Sequence, residues 1–115
     1  GRLLDNKIKI NGMAHITGGG FPDNIPRVLP KAVACEIDRT AWDVPTIFKF
    51  IERQGKVDHD EMYRVFNMGI GFVLIVPKTS LPRIKTVFRN MRQTWHQIGV
   101  IRVRKTGMEP VFYSK

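Results

Sequence analysis

Three consecutive glycines, Gly18 to Gly20, separate an apolar segment from residues typical of a helix start, and no other feature constrains the local backbone as strongly. Glycine adopts positive φ angles readily and lets another group approach the main chain closely. Asn24 is a favourable N-cap and Pro26 is tolerated in a first helical turn, so we predict a short helix that begins at Asn24 and ends before Pro30. The free N–H groups at its start, together with Arg27, would form a cradle for a phosphate or another anion.

The glycine run fits neither of two common nucleotide-binding patterns. The G-x-G-x-x-G spacing of dinucleotide sites is absent, and no Gly-Lys-Ser/Thr follows the loop as it would in a P-loop. A tight turn that binds nothing therefore stays open as an alternative to anion binding.

The composition indicates one globular domain. A chain of 115 residues has the size of a single compact domain, and it has no apolar run near the roughly 20 residues that span a bilayer. Cys35 is the only cysteine, which excludes an intramolecular disulfide and favours a reducing, cytoplasmic location. The histidines His15, His59 and His96 are scattered, so we expect no metal site.

The charge is strongly basic, with a formal net charge of +9, and from Arg83 onward the only acidic residue is Glu109. A basic face can recruit nucleic acid, acidic lipid or phosphorylated metabolites. Because these basic residues are interleaved with apolar ones, a solvated surface is the favoured interpretation. No aromatic–basic RNA motif or helix-turn-helix pattern supports a specific nucleic-acid partner.

Hydrophobic spacing predicts a mixed α+β fold. The predicted strands cover residues 8–17, 32–37, 72–76, 100–103 and 111–113. The predicted helices are the one at Asn24, one that includes Trp42 to Ile51 and stops at Gly55, one from Asp58 to the break at Gly69, and the clearest over 80–97. The continuously apolar run 72–76 indicates a strand buried on both faces. The last two strands are expected to form a hairpin around Gly107.

A second candidate site follows the helix that begins at Asp58. Asn67, Gly69 and Gly71 precede a predicted strand, and loops at strand ends often hold ligands. Asn and Gly are also ordinary helix C-caps, so a purely structural role stays open. His15 could contact a substrate or transfer a proton, or it could be a hydrogen-bonded structural residue.

Other conspicuous residues are interpreted as structural. Cys35 lies in an apolar strand and should be inert, while Trp42 and Trp95 should be packing residues. The acidic residues at 58–61 are helix-start charges rather than metal ligands.

The two candidate loops together resemble a known enzyme family, the phosphoribosylformylglycinamidine cyclo-ligases or aminoimidazole ribonucleotide synthetases. The matching segments are Ala-His-Ile-Thr-Gly-Gly-Gly-Phe at 14–21, Asn-Ile-Pro-Arg-Val-Leu-Pro at 24–30, Glu-Met-Tyr-Arg at 61–64 and Phe-Asn-Met-Gly-Ile-Gly at 66–71. Trp42, with Pro45, Ile47 and Phe48 after it, fits the segment between the motifs. The resemblance is good over residues 8–76 and weak over 79–115.

The resemblance implies a C-terminal domain with a three-layer α/β/α arrangement, a mixed sheet and a partly ferredoxin-like fold. Enzymes of this family close the imidazole ring of aminoimidazole ribonucleotide from formylglycinamidine ribonucleotide, with ATP converted to ADP and phosphate. ATP and Mg²⁺ are bound mainly by an N-terminal domain, which also forms the homodimer. We therefore expect residues 1–115 to be one substrate-side domain without that N-terminal partner, to hold no cofactor alone and to be inactive alone.

The residues that match the family motifs are expected to serve the substrate. His15 is placed near the reacting amide, and the ribose phosphate is assigned to the glycine loop. The remaining substrate-side residues are Thr17, Gly18, Gly19, Gly20, Asn24, Arg27, Asn67, Gly69 and Gly71. Alternatives are a related enzyme of the same superfamily (thiamine-monophosphate kinase, selenophosphate synthetase or the formylglycinamidine ribonucleotide amidotransferase) and a basic nucleic-acid-binding module.

Overall fold

The computed structural model describes residues 9–115, so Ile8, the first residue of the predicted extended segment, lies outside the described part. The elements follow in the order β1 (Gly12–His15), α1 (Gly20–Asn24), a 3₁₀ turn (Pro26–Val28), β2 (Val33–Ile37), α2 (Thr46–Gln54), α3 (His59–Val65), β3 (Phe72–Ile75), a second 3₁₀ turn (Lys78–Ser80), α4 (Leu81–Asn90), β4 (Gly99–Val103) and β5 (Val111–Tyr113). This mixture confirms the predicted α+β class.

The strands form two sheets. β1 and β3 pair antiparallel, with His15 opposite Phe72. The other sheet is mixed and has the order β4-β2-β5, in which β2 runs antiparallel to β4 and parallel to β5. The predicted hairpin between β4 and β5 is therefore wrong: Cys35 of β2 pairs with Ile101 on one side and Val111 on the other. The apolar β2 takes the central position between them.

Two further predictions fail for identifiable reasons. β3 is not buried on both faces: Val73 packs on the main core, whereas Phe72, on the opposite face, is 56% exposed. The helix predicted over 80–97 ends at Asn90. Arg92 takes a left-handed φ of 54°, and the N–H of Gln93 donates to the carbonyl of Phe88 at 2.8 Å. This pattern closes a helix in the manner of a Schellman motif, normally with glycine at the left-handed position.

The helix after the glycine run also differs from the prediction. It begins at Gly20 and ends at Asn24, so Asn24 is its last residue and not its N-cap. Gly19 occupies the N-cap position with φ 95°. The helix starts early because Phe21 is completely buried, which fixes the first turn in the core.

The main core joins α1, α3 and the faces of both sheets. Its fully buried side chains are Ile16, Phe21, Ile25, Ile37, Met62 and Met68. Cys35 and Trp42 belong to this core, as predicted, and Trp95 packs on Phe88 beside a smaller cluster around Ile84 and Val87. Burial raises the pKa of the Cys35 thiol to about 11, with a further contribution from Glu36, which agrees with the expected lack of reactivity. In residues 9–115 no helix has the length and apolar character needed to cross a membrane.

Candidate functional site

The glycine loop lies directly on the main chain of α3. Gly19 and Gly20 have φ angles of 95° and 60°, which favour glycine. A Cβ on Gly20 would collide with the carbonyl oxygen of Tyr63 and lie 2.8 Å from that of Phe66. A Cβ on Gly18 would meet nothing within 4 Å. Gly19 and Gly20 are thus required by backbone conformation and close packing, while Gly18 faces open space.

The main-chain donors of this loop are largely used inside the protein. Gly19 N–H donates to the carbonyl of Val65 at 3.2 Å, and Gly20 N–H donates to that of Thr17 at 3.1 Å. The carboxylate of Asp23 lies in the first turn of α1, beside Gly19, where it opposes a second negative charge. These two N–H groups are therefore not free for an anion, and the open side of the loop is at Gly18.

Asn24 holds the loop together from inside. Its side chain is 4% exposed, and Nδ2 donates to the carbonyl oxygens of Gly20 (2.7 Å), Thr17 (3.3 Å) and Gly18 (3.5 Å). Its Oδ1 accepts a hydrogen bond from the Thr17 hydroxyl at 3.1 Å. Because a buried amide must be paired, these bonds fix the path of the loop.

The second loop is built around Asn67. Its Oδ1 accepts a hydrogen bond from Gly69 N–H at 2.9 Å, and its main-chain carbonyl accepts one from Ile70 N–H at 3.0 Å. Met68 and Gly69 have φ angles of 54° and 96°. Gly71 has no atom within 4 Å of an added Cβ and is exposed. The helix break predicted from the glycines is therefore an Asx-type turn with two left-handed residues.

The structure brings the two loops together through Ile16. Its N–H donates to the carbonyl of Gly71 at 2.9 Å, and its carbonyl accepts a hydrogen bond from Asn67 Nδ2 at 3.4 Å. Residues more than 50 positions apart in the chain consequently lie side by side at the end of the β1–β3 sheet. Thr17 and Gly18 are exposed there.

His15 lies at the edge of this arrangement, on the exposed face of β1. Its ring is 6.1 Å from that of Phe72, at an interplanar angle of 35°. Phe72 was missed as a site residue because its apolar run predicts burial. The signal that could have found it is its position directly after Gly71, at the start of a strand.

No contact among residues 9–115 brings Arg27 into this group. It is exposed on the 3₁₀ turn and makes no hydrogen bond or ion pair within the described part of the chain. The turn itself packs against β1. Arg27 therefore contributes positive charge near the loops rather than a fixed contact.

A separate cluster around Arg39 lies at the N-terminal end of α3, away from the two loops. The Arg39 guanidinium binds Asp60 at 2.7 Å and lies 4.7 Å from the centre of the Tyr113 ring. Hydrogen bonding and charge from Arg39 hold the pKa of Asp60 below its usual value. Burial raises the pKa of Tyr113 to about 12. None of the predicted site residues takes part in this cluster.

A cleft of about 490 Å³ lies between α2 and α3. Its lining residues are Val44, Lys49, Glu52, Arg53, Val57, His59, Tyr63 and Met68. None of the predicted site residues lines this cleft. Over residues 9–115 no group of three or more His, Cys, Asp or Glu side chains is arranged to hold a metal ion.

Comparison with known proteins identifies close sequence relatives. A family model described as "AIR synthase related protein, C-terminal domain" matches residues 2–108. A phosphoribosylformylglycinamidine cyclo-ligase of Lawsonia intracellularis is 47% identical over 111 residues, which are 96% of this chain and 32% of the relative. Enzymes of the same name from Pseudothermotoga lettingae and Neisseria gonorrhoeae are 50% and 42% identical, over 81% and 86% of this chain and 28% and 29% of theirs. The chain thus spans less than a third of the length of these relatives.

Proposed function

This chain belongs to the AIR synthase related family, in which it matches the C-terminal domain, and on that premise we propose that it is the substrate-side domain of a phosphoribosylformylglycinamidine cyclo-ligase. Such an enzyme would act in purine biosynthesis, and we place it in the cytoplasm. The observation that carries the proposal is the junction of the two motif loops through Ile16, which makes one surface from segments distant in sequence.

The reaction proposed is ring closure of formylglycinamidine ribonucleotide. The formyl oxygen accepts the γ-phosphoryl group of ATP, and the amidine nitrogen attacks the former formyl carbon. That oxygen then leaves with the phosphoryl group as phosphate, a proton is released and ADP remains. Bound ATP and Mg²⁺ supply the phosphoryl group and neutralise its charge. We assign both to the N-terminal domain of such enzymes.

Within this domain some of the motif residues would contact the substrate and the others would shape the two loops. Thr17 and Gly18 present the open side of the first loop to the ribose phosphate, and Arg27 adds positive charge nearby. His15 would lie near the reacting amide, where an imidazole can hold or pass a proton. The shaping residues are Gly19, Gly20, Asn24, Asn67, Gly69 and Gly71.

The partner proposed for this surface is the N-terminal domain of the same enzyme, and the complete two-domain enzyme is proposed to be a homodimer. The outer face of the β1–β3 sheet exposes Met13 (50%) and Phe72 (56%), and a two-stranded sheet with an open apolar face is poorly stable alone. This face adjoins His15 and Gly71, so a domain docked on it would meet the paired loops.

This docking proposal is tested with a separately produced N-terminal domain of the Lawsonia relative. Met13→Ser and Phe72→Ser should each weaken its association with this chain at least about tenfold, because apolar burial is lost. The matched control is Val103→Ser, which changes an apolar residue that is 75% exposed on the other sheet. Equal affinity for all variants would exclude this face as the contact.

The alternatives are less well supported. The relatives reported above carry the cyclo-ligase name, which favours this reaction over those of thiamine-monophosphate kinase, selenophosphate synthetase or the amidotransferase. For the basic surface we propose no specific nucleic-acid partner. A gel-shift titration should show only weak binding that falls steeply with salt for any sequence.

The activity is tested in a two-domain protein in which this chain replaces the C-terminal domain of the Lawsonia relative, with the native enzyme as the positive control. The chimera should release ADP only when formylglycinamidine ribonucleotide is present, and this chain alone should release none. A folded chimera without substrate-dependent ADP release would contradict the proposal. So would turnover of thiamine monophosphate or selenide in place of the ribonucleotide.

A further inference from the structure

Trp42 is buried beneath both loops and makes a specific polar contact. The residue is 6% exposed, and its indole Nε1–H donates to the carbonyl oxygen of Met68 at 3.1 Å. A tryptophan side chain has one hydrogen-bonding group, so this is its only polar contact. Its acceptor lies in the middle of the second loop, between Asn67 and Gly69.

That acceptor belongs to a backbone turn that needs support. Met68 has φ 54°, a left-handed conformation that is rare for residues with a Cβ. Gly69 follows with φ 96°, and a Cβ there would lie 2.7 Å from Pro45 Cγ. Trp42 and Pro45 thus contact consecutive residues of the turn from the segment that precedes α2. One contact is a hydrogen bond and the other is steric.

The indole ring also reaches the first loop. It packs edge-on against Phe21, with ring centres 5.9 Å apart, and Phe21 directly follows Gly20. It packs in the same manner against Tyr63 at 6.4 Å, and the carbonyl of Tyr63 faces Gly20. A single side chain therefore contacts one loop by its N–H group and the other by its ring.

We propose that Trp42 is a positioning residue, which sets the relative geometry of the glycine loop and the Asn67–Gly71 loop through its Nε1–H bond to Met68. The inference rests on the proposed function where it concerns substrate binding. Its structural part, the control of the Met68 turn, stands independently of any ligand. A residue that only filled core volume would act through its ring alone.

Replacing tryptophan by phenylalanine separates these two roles. Trp42→Phe keeps an aromatic ring against Phe21 and Tyr63 but removes the N–H donor, which leaves the buried Met68 carbonyl without its partner. The matched control is Trp95→Phe, because Trp95 packs on Phe88 in the separate cluster. Both variants are made in the 115-residue chain.

The primary readout is amide hydrogen exchange measured by NMR. Ile70 N–H, which closes the turn on Asn67, should exchange about tenfold faster in Trp42→Phe, relative to Cys35 N–H in the central strand. Trp95→Phe should leave that ratio unchanged. An unchanged ratio in Trp42→Phe, or an equal increase at both amides, would overturn the proposal.

A second readout concerns the ligand and keeps the two proposals distinguishable. Ribose 5-phosphate should bind Trp42→Phe at least about fivefold more weakly than wild type, with Trp95→Phe unaffected. If the wild-type chain does not bind this probe, the proposed substrate site is contradicted, while the exchange ratio still tests whether Trp42 controls the Met68 turn. If Trp42→Phe does not fold, the indole groups of the wild-type chain are measured instead: Trp42 Nε1–H should exchange at least about tenfold more slowly than Trp95 Nε1–H, because it is buried and bonded to the Met68 carbonyl. Equal exchange rates for the two indole groups would contradict the proposal.

Discussion

Ile16 and Gly71 are joined by a main-chain hydrogen bond of 2.9 Å, which places the glycine loop beside the loop that follows α3. The contact makes one surface from two motifs. The residues of the first loop differ in exposure: Gly18 and Thr17 are exposed on this surface, whereas Gly20 and Asn24 are buried beneath it.

The glycines of the run should differ sharply in their tolerance of a methyl group. Gly20→Ala should destabilise the chain by at least about 2 kcal/mol, because its φ is 60° and the new Cβ meets the carbonyls of Tyr63 and Phe66. Gly18→Ala, the control, should change the free energy of unfolding by less than about 0.5 kcal/mol. Urea titrations measure both, and equal destabilisation of the two variants would contradict the structure.

Asn24 should be a major determinant of loop stability. Asn24→Ala removes a buried amide and leaves the Gly20 carbonyl without the 2.7 Å hydrogen bond from Asn24. The free energy of unfolding should therefore fall by about 1–3 kcal/mol. Asn90→Ala, at the exposed end of α4, provides the comparison and should be nearly neutral. If Asn24→Ala proved as mild as Asn90→Ala in thermal melts, the recorded hydrogen bonds would be energetically unimportant.

The sequence was sufficient to recognise both loops as motifs, but it did not predict their backbone geometry. The motif residues could be recognised because their types and order are distinctive. Asn24 was predicted as an N-cap from local preference, yet its side chain turns inward to bond with Gly20, a choice made by tertiary packing. Likewise Arg92 ends α4 in a conformation usually taken by glycine, which local composition does not reveal.

The positions of the strands within the sheets were also not predicted from the sequence. An apolar run indicates burial, but it does not say which face of the sheet is covered, and Phe72 lies with His15 and Met13 on the face turned away from the main core. The hairpin prediction failed because β2, which precedes β4 by more than 60 residues, lies between β4 and β5. Trp42 was correctly predicted to lie in the core, but its hydrogen bond to Met68 depends on the tertiary fold and could not be predicted.

The buried Cys35 thiol should make stability depend on alkaline pH. Its folded pKa of about 11 lies above the ordinary value of 9.0, so the stabilisation is complete below pH 9 and is lost as pH rises towards 11. By pH 10 the loss should be about 1 kcal/mol. Cys35→Ala should remove this component, measured as the difference in unfolding free energy between pH 8 and pH 10. An identical difference in both proteins would exclude the thiol as its source.

The Asp60 carboxylate should titrate differently once Arg39 is removed. Arg39 lowers the pKa of Asp60 by hydrogen bonding and charge, so Arg39→Ala should raise it towards the ordinary value. Because the pKa of Asp60 is lower in the folded than in the unfolded chain, its ionised carboxylate stabilises the folded state above the unfolded pKa. This stabilisation is lost as pH falls through the folded pKa. Asp38 is the internal control, since Thr40 lowers its pKa. Carboxyl NMR titration should show a shift at Asp60 alone, and a shift of similar size at Asp38 would refute the assignment.

The central claim, that the paired loops bind the phosphate end of the substrate, is tested most directly by NMR titration of this chain with ribose 5-phosphate. Amide shifts should concentrate at Thr17, Gly18 and Gly71, with weaker changes towards Arg27, and unphosphorylated ribose should cause none of them. Absence of shifts in residues 15–27 and 67–71 at millimolar ligand would contradict the claim. So would shifts confined to Lys49 and Arg53 of the cleft between α2 and α3.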